Sequence, residues 1–221
     1  MRFSVFFAVA ALMVVASSAA ATSPAALLAA SLAAGKAQGS VHYVAHAKFG
    51  NQSLTINGDA ALDRGRQLIT FTKAGTTGHA TVLVVNNTAY IKGDAFTLTN
   101  YMQIPATLAN KWLSLAHTTH GFAQVAEAVR LESTLAELKM TAPLRMVAGR
   151  TIAGSRTVGI SGKTPAGSLT TTATLYVKAG KTPLPVAQIS TETNGSSDSI
   201  TFSRWKETVT VVAPSGATPL Q

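Results

Sequence analysis

The chain predicts an α+β fold, an antiparallel sheet with its helices gathered on one face. Two long stretches of period-two alternation, separated by apolar residues at helical spacing, are the first sign. The second is a hairpin signal at residues 80–92, where Thr81-Val-Leu-Val-Val and Thr88-Ala-Tyr-Ile-Lys flank Asn86-Asn87. Asn tolerates the positive φ that a two-residue hairpin turn demands.

The first element lies outside this fold. Met1-Arg2 leads into the apolar run Phe3 to Ala16, which ends in Ser17-Ser18-Ala19-Ala20-Ala21. One positive charge, a short apolar core and a small-residue exit make residues 1–21 a secretory signal peptide. The run is short of the ~20 residues a membrane span needs. Residues 22–221 then form one domain outside the cytoplasm, secreted or in the cell envelope. They contain no cysteine, so neither a disulfide nor a lipid-modified N-terminal cysteine is available.

Pro24 to Ala34 reads as a short helix, with Leu28 and Leu32 one turn apart and Gly35 as its stop. Val41, Tyr43, Ala45, Ala47 and Phe49 alternate with polar residues. Leu54, Ile56, Ala60 and Leu62 do the same after a turn at Gly50-Asn51. Arg66 to Thr72 is a third strand and Lys73 to Gly78 a turn. In the hairpin that follows, Val82, Val84, Ala89 and Ile91 share one face, and Leu83, Val85, Thr88 and Tyr90 the other. Both faces are apolar, which predicts cover on both.

The period changes after residue 94, with a helix expected from Pro105 to about Leu115 and the strongest helix from Phe122 to Leu138. Phe122, Val125, Ala126 and Val129 form its apolar stripe, which Leu131, Leu135 and Leu138 continue slightly rotated. Strands return at Ser155–Ser161, Leu169–Lys178, Val186–Glu192, Ile200–Trp205 and Thr208–Val212.

Chemistry-bearing motifs are scarce. On a strand, His42 and His46 share a face ~13 Å apart, too far to hold one metal ion, and read as exposed. His117 and His120 belong to a loop, with no carboxylate near in sequence. The Gly-Lys-Thr triplets at 162–164 and 180–182 lack the upstream glycine of a phosphate loop and read as turns. No G-x-S-x-G elbow occurs, and the nine acids show no catalytic pairing. Asn51, Asn86 and Asn194 begin formal glycosylation tripeptides but read as turn residues. No enzyme, metal or cofactor is expected.

The net charge of +9 comes from scarce acids rather than from a basic tail. That composition excludes a nucleic-acid arm and suits attraction to an anionic membrane or cell-wall surface. Small residues recur on the inferred inward faces, at Ala45, Ala47, Ala60, Ala89 and Ala173, leaving room that larger ones would fill. Val82, Val84, Ala89 and Ile91 from the hairpin, facing Phe122, Val125 and Val129, are the candidate cavity lining.

Several segments together resemble a known family. They are Ala89-Tyr90-Ile91-Lys92-Gly93, Trp112, Leu135-Ala136-Glu137-Leu138, Leu175-Tyr176-Val177, Pro183-Leu184-Pro185-Val186 and Phe202-Ser203-Arg204-Trp205. In this order the chain is similar to the LolA/LppX-type carriers of actinobacterial and Gram-negative envelopes. The resemblance implies a sheet curved as a half-barrel around central helices, a cavity for lipid chains and no catalytic residues. The missing cysteine departs from the lipoprotein members and matches a soluble shuttle. The function expected is a non-enzymatic binding protein for a lipid or other amphiphile. A ligand-free envelope interaction module is the alternative, and a hydrolase comes third.

The exported protein is expected to begin at Thr22 and to carry no lipid. Intact mass of the secreted form checks this, and a retained leader would mean an uncleaved anchor instead.

Overall fold

The computed structural model describes residues 23–127, 129–165, 171–192 and 194–220. The expected leader, and Leu169 and Thr170 of the predicted strand, lie outside them. Helix α1 (Pro24–Lys36) leads into β1 (Ser40–Phe49), β2 (Gln52–Ala61), β3 (Gly65–Lys73), β4 (Thr76–Val85) and β5 (Thr88–Gly93). A helical turn α2 (Ala95–Thr97) runs into a π turn (Leu98–Met102), followed by a 3₁₀ turn (Ala106–Leu108) and β6 (Leu113–Ala116). Helices α3 (Phe122–Glu127) and α4 (Leu131–Ala136) precede β7 (Thr141–Val147), β8 (Thr151–Ile152) and β9 (Ser155–Lys163). The chain closes with β10 (Thr172–Lys178), β11 (Pro185–Thr191), β12 (Ser197–Ser203) and β13 (Thr218–Pro219).

The strands form one curved, unclosed sheet of order β13-β6-β5-β4-β3-β2-β1-β12-β11-β10-β9-β7, with β8 hairpinned onto β9. Two antiparallel meanders, one on each side of the central helices in sequence, are thus a single surface. They meet where β1 pairs β12, from His42↔Ser203 to Lys48↔Ser197. Only the short β13–β6 pair is parallel.

The hairpin forms in the expected register, with Val84↔Ala89 and Val82↔Ile91 and with Asn86 and Asn87 at φ 52° and 60°. Its inner face is fully covered. On the outer face Val85 is buried but Leu83 and Tyr90 are only half-buried, so the expected cover on both sides is partial there. The turn predicted at 73–78 is tighter, because β4 begins at Thr76 and only Ala74-Gly75 turn. Leu62 falls beyond β2 and is exposed. Gly162 and Lys163 belong to β9 rather than to a turn.

Three helix expectations fail for tertiary reasons. Gly35 does not stop α1, which runs on to Lys36. It is buried inside the helix because a Cβ there would stand 3.1 Å from Leu135 Cδ2 and 3.2 Å from Trp205 Cη2. Residues 105–115 hold only the 3₁₀ turn at Ala106–Leu108 and no α-helix: Leu113 and Leu115 alternate with Ser114 in a strand paired to β5. The long helix over 122–138 is two short ones, with Arg130 extended between them at φ −87°, ψ 145°. Leu131 follows Val129 by two residues, a spacing at which helical side chains do not share a face.

That break serves two cores. One gathers Leu28, Val41, Tyr43, Leu131, Leu135, Leu138, Ile160 and Leu175 beneath α1 and α4. The other gathers Ile69, Val82, Val84, Ala89, Ile91, Leu98, Phe122 and Val129 beneath α3 and the turns after Asp94. A straight 17-residue helix would be ~25 Å long and could not follow both over a curved sheet. Ile56 packs against both cores from β2.

After β12 the chain does not form the strand expected at Thr208–Val212. It runs extended and unpaired, with Val209 and Val211 half-buried, until β13 joins β6. The start of this strap is fixed at Ser40, whose hydroxyl donates to Glu207 O (2.6 Å) and whose carbonyl accepts from Lys206 N (3.1 Å).

Tyr43 and Gly58 are cross-strand partners, and the buried Tyr43 ring lies flat over the glycine. A Cβ at Gly58 would stand 2.6 Å from Tyr43 Cε1. Gly58→Ala should therefore displace the ring and cost about 1–3 kcal/mol. Chemical denaturation checks this, and a Tm equal to wild type would show that the ring can move freely.

Candidate functional site

Against β3–β6 the cover is built from short pieces. Asp94 caps α2, its Oδ1 accepting from Thr97 N at 2.7 Å and its Oδ2 from His79 N. Burial works against the Asp94 carboxylate, but these two backbone donors hold its pKa below the ordinary value. The turn can sit this close to β4 because Gly78 presents no side chain to it. Phe71 from β3 stacks on Phe96 (5.9 Å between ring centroids) and on Tyr101 (5.3 Å), which anchors the following π turn.

Beyond that anchor the cover does not close. A cleft of about 450 Å³ lies between the sheet and the segments carrying Tyr101, Met102, Ile104, Gln124 and Val125. From the sheet it is lined by Gln67, Ile69, Val82, Ile91 and Leu115, and Leu220 reaches it from the C-terminal strap. The lining is mostly aliphatic, with Tyr101 and two glutamine amides as its polar groups. Buried Gln67 donates its Nε2 hydrogen to Tyr43 Oη at 2.6 Å, linking the cleft to the neighbouring core. Burial pushes the Tyr43 hydroxyl up to about 12, so it is neutral at any physiological pH.

All seven candidate lining residues come together in one apolar cluster. Val82, Ile91 and Val125 line the cleft itself. Val84, Ala89, Phe122 and Val129 are packed beside it, with 0–7% of their surface exposed. Sequence reasoning missed Gln67 and Ile69, although the alternation Gln67, Ile69, Phe71 marks them as inward-facing. Tyr101, one of the large aromatic residues expected around a cavity, does line the cleft, whereas Met102 and Ile104 were missed because the π turn and the residues after it follow no period. Nothing local points to Leu220. Of the small inward residues, Ala45 and Ala173 border a separate, more polar hollow of about 190 Å³ with Gln188 and Asp198.

The opposite face carries the densest charge cluster. Ser203, His42, Asp59 and Arg66 are cross-strand neighbours on β12, β1, β2 and β3. His42 is half-buried rather than exposed, with its Nδ1 2.6 Å from Asp59 Oδ1. Arg66 Nε donates to Asp59 Oδ2 at 2.5 Å, and Arg204 lies 3.4 Å from Oδ1. Glu207 completes the group, its Oε2 3.3 Å from Arg204 Nε. Ligand atoms of His42, Asp59 and Glu207 lie within 4.8 Å of one another, a spacing a metal ion could bridge. Two guanidinium groups already neutralise that carboxylate, so the arrangement is that of a structural ion-pair network. His46 bonds Thr55 (3.1 Å), and His117 and His120 lie exposed in turns.

Burial opposes ionisation of Asp59, but hydrogen bonds from His42 and Arg66 outweigh it and hold its pKa below the ordinary value. Glu207 moves the other way, raised first by burial and then by the adjacent Asp59 carboxylate. The two carboxyl groups share one environment and titrate as a pair.

No protein-family model matches the sequence, and no curated protein matches it. Solved structures do match the fold. LprF from Mycobacterium bovis superimposes with a TM-score of 0.58 at 19% identity, over 87% of this chain and 97% of that one. The Mycobacterium tuberculosis lipoprotein LppX gives 0.55 at 20% identity, over 86% and 100%. The chain therefore has the LppX-like fold, a half-barrel sheet around central helices.

The convex-face network has a pH signature. Asp59, with its lowered pKa, stabilises the fold above the ordinary carboxyl range, and the contribution is lost as pH falls through its folded value. Glu207, with its raised pKa, contributes stability at low pH that is lost as pH rises through its folded value. Asp59→Asn should cost about 1.5–3 kcal/mol at pH 7, shrinking toward pH 3. Glu207→Gln should match or exceed wild type at pH 7. Thermal melts from pH 3 to 8 check both, and a destabilised Glu207→Gln would reverse the assignment.

Proposed function

We propose that this chain is a non-enzymatic binding protein working outside the cytoplasm, and that it carries a lipid or other amphiphile with its apolar tail in the cleft. The observation that carries the reading is the cleft itself, an aliphatic hollow left open beside a closely packed core. The fold shared with LprF and LppX supports it, and LppX is itself described as a lipoprotein. The predicted leader and the absence of cysteine favour a soluble shuttle over a tethered one. Among the described residues no helix is long and apolar enough to cross a membrane.

The mechanism needs no covalent chemistry. Each methylene moved from water into an apolar site contributes about 0.8 kcal/mol, so a long chain supplies ample binding energy. A net charge of +9 draws the protein toward anionic membrane or wall surfaces, where such chains reside. A second reading, a ligand-free envelope interaction module, draws on the exposed Leu68 on the convex face of β3 and the exposed Leu62 in the turn before that strand.

Two tryptophan substitutions separate a cleft from ordinary core. Val125 is half-buried at the cleft wall, so Val125→Trp should abolish fluorescent-lipid binding with a near-wild-type Tm. Ala89 is fully buried, so Ala89→Trp should lower stability by about 1–3 kcal/mol through overpacking. Lipid binding absent from the parent protein, with both variants merely destabilised, would favour the interaction module.

A further inference from the structure

We infer that the cleft takes a single acyl chain of about fourteen to sixteen carbons, whose head group carries no negative charge. The inference rests on the carrier reading above and names its cargo. The limit on chain number comes from volume. A methylene occupies about as much space as a water in the liquid, ~30 Å³, so a cleft of about 450 Å³ holds one chain of roughly fifteen groups. No second chain finds room in the other half of the sheet. There Leu131, Leu138, Ile160 and Leu175 are fully buried beneath α1 and α4. The hollow between those two helices is about 220 Å³, the one beside Gln188 about 190 Å³, and one among mostly polar residues of β1, β2, β11 and β12 about 280 Å³, all well short of the cleft.

The head group is read from where the cleft opens. Gln124 borders the cleft and also a more polar groove of about 570 Å³ between α3 and α4, lined by Glu127, Ser133, Thr134 and Glu137, which offers a head group room but an acyl chain few apolar contacts. A head group leaving the cleft past Gln124 therefore meets two carboxylates, two hydroxyls and an amide. Among the described residues no Lys, Arg or His lines either space. The bases on α1 and after α4, Lys36 and Lys139, border the hollow on the α1 side of α4 instead. In a chain with twice as many bases as acids, this groove inverts the overall sign. At physiological salt, charges beyond about 8 Å are screened, so the local carboxylates set the preference rather than the net charge. An anionic head would lie beside Glu127 and Glu137 with no cation in the lining to offset them. A hydroxylated or ammonium head can donate hydrogen bonds to both.

Titration of residues 22–221 with 1-monoacylglycerols of 10 to 20 carbons, each below its aggregation threshold, tests the chain limit. Affinity should rise roughly four-fold per methylene up to 14–16 carbons and then level off. Dipalmitoylglycerol should bind no tighter than monopalmitoylglycerol. A rise that continues to 20 carbons, or tighter binding of the two-chain lipid, overturns the single-chain limit. At pH 7.4, hexadecyl sulfate should bind at least ten-fold more weakly than monopalmitoylglycerol and hexadecylamine. Glu127→Gln with Glu137→Gln should narrow that gap, and hexadecyl sulfate binding as tightly as the others overturns the head-group assignment. Binding of no probe at all overturns the carrier reading itself.

Discussion

The ladder between β1 and β12 is the constraint on which the rest of the structure depends. Each meander alone would end in a long unpaired edge at this point, β1 in one and β12 in the other. Such edges are open to pairing with other chains. Pairing them to each other turns two sheets into one that, among the described residues, ends at β13 and β7. The Asp59 network sits on this seam. It joins side chains from β1, β2 and β3 to Arg204 and Glu207, which follow β12. A buried carboxylate with this many charged partners contributes orientation as much as stability, because each partner must arrive from its own element. The same anchor fixes the start of the strap that later brings Leu220 to the cleft.

One curved sheet this wide cannot be covered by one straight helix. The cover is divided, and the two parts differ in quality. Over the C-terminal meander α1 packs with α4, and Gly35 lets that helix approach Leu135 and Trp205. Over β3–β6 the cover consists of α2, a π turn, a 3₁₀ turn and the six-residue α3. Pieces this short cannot present long ridges to the sheet, so side-chain packing is complete near their anchors and incomplete between them. Phe71 and Leu98 mark the completed part. The cleft at Met102, Ile104 and Val125 is the incomplete part.

This division explains what the sequence discloses. Strands follow period two whatever their surroundings, so the hairpin register around Asn86-Asn87 and both meanders were legible. Helical spacing grouped Phe122, Val125 and Val129, which do share one apolar cluster, although Val129 lies beyond the end of α3. Spacing could not disclose the break at Arg130, because it answers to sheet curvature rather than to local preference. Leu113 and Leu115 suffered the same ambiguity in reverse, since a short apolar run fits a strand or a helix equally. Asp59 looked like one more outward polar residue of an alternating strand. Its burial depends on Arg204, 145 positions away, which no local pattern connects to it.

The cleft and the core beside it are made of the same residue types. Val82 and Val84 sit two positions apart on one face of β4, yet Val82 borders open space while Val84 does not. What distinguishes them is position along the strand: both are buried, at 3% and 0% exposed, but Val82 lies under the cleft and Val84 under closed packing. The cleft surface already has a core's shape and composition but lacks part of its dispersion contacts. An apolar occupant supplies those contacts and removes the half-buried side of the lining, Met102, Ile104 and Val125, from water, at roughly 25 cal/mol per Å² of surface covered. Binding in such a site completes the packing that the short pieces of the cover leave unfinished. On the proposed carrier reading an acyl chain needs no dedicated chemical group to hold it, and polar discrimination falls to the few groups at the opening, Gln124 and the carboxylates beside it.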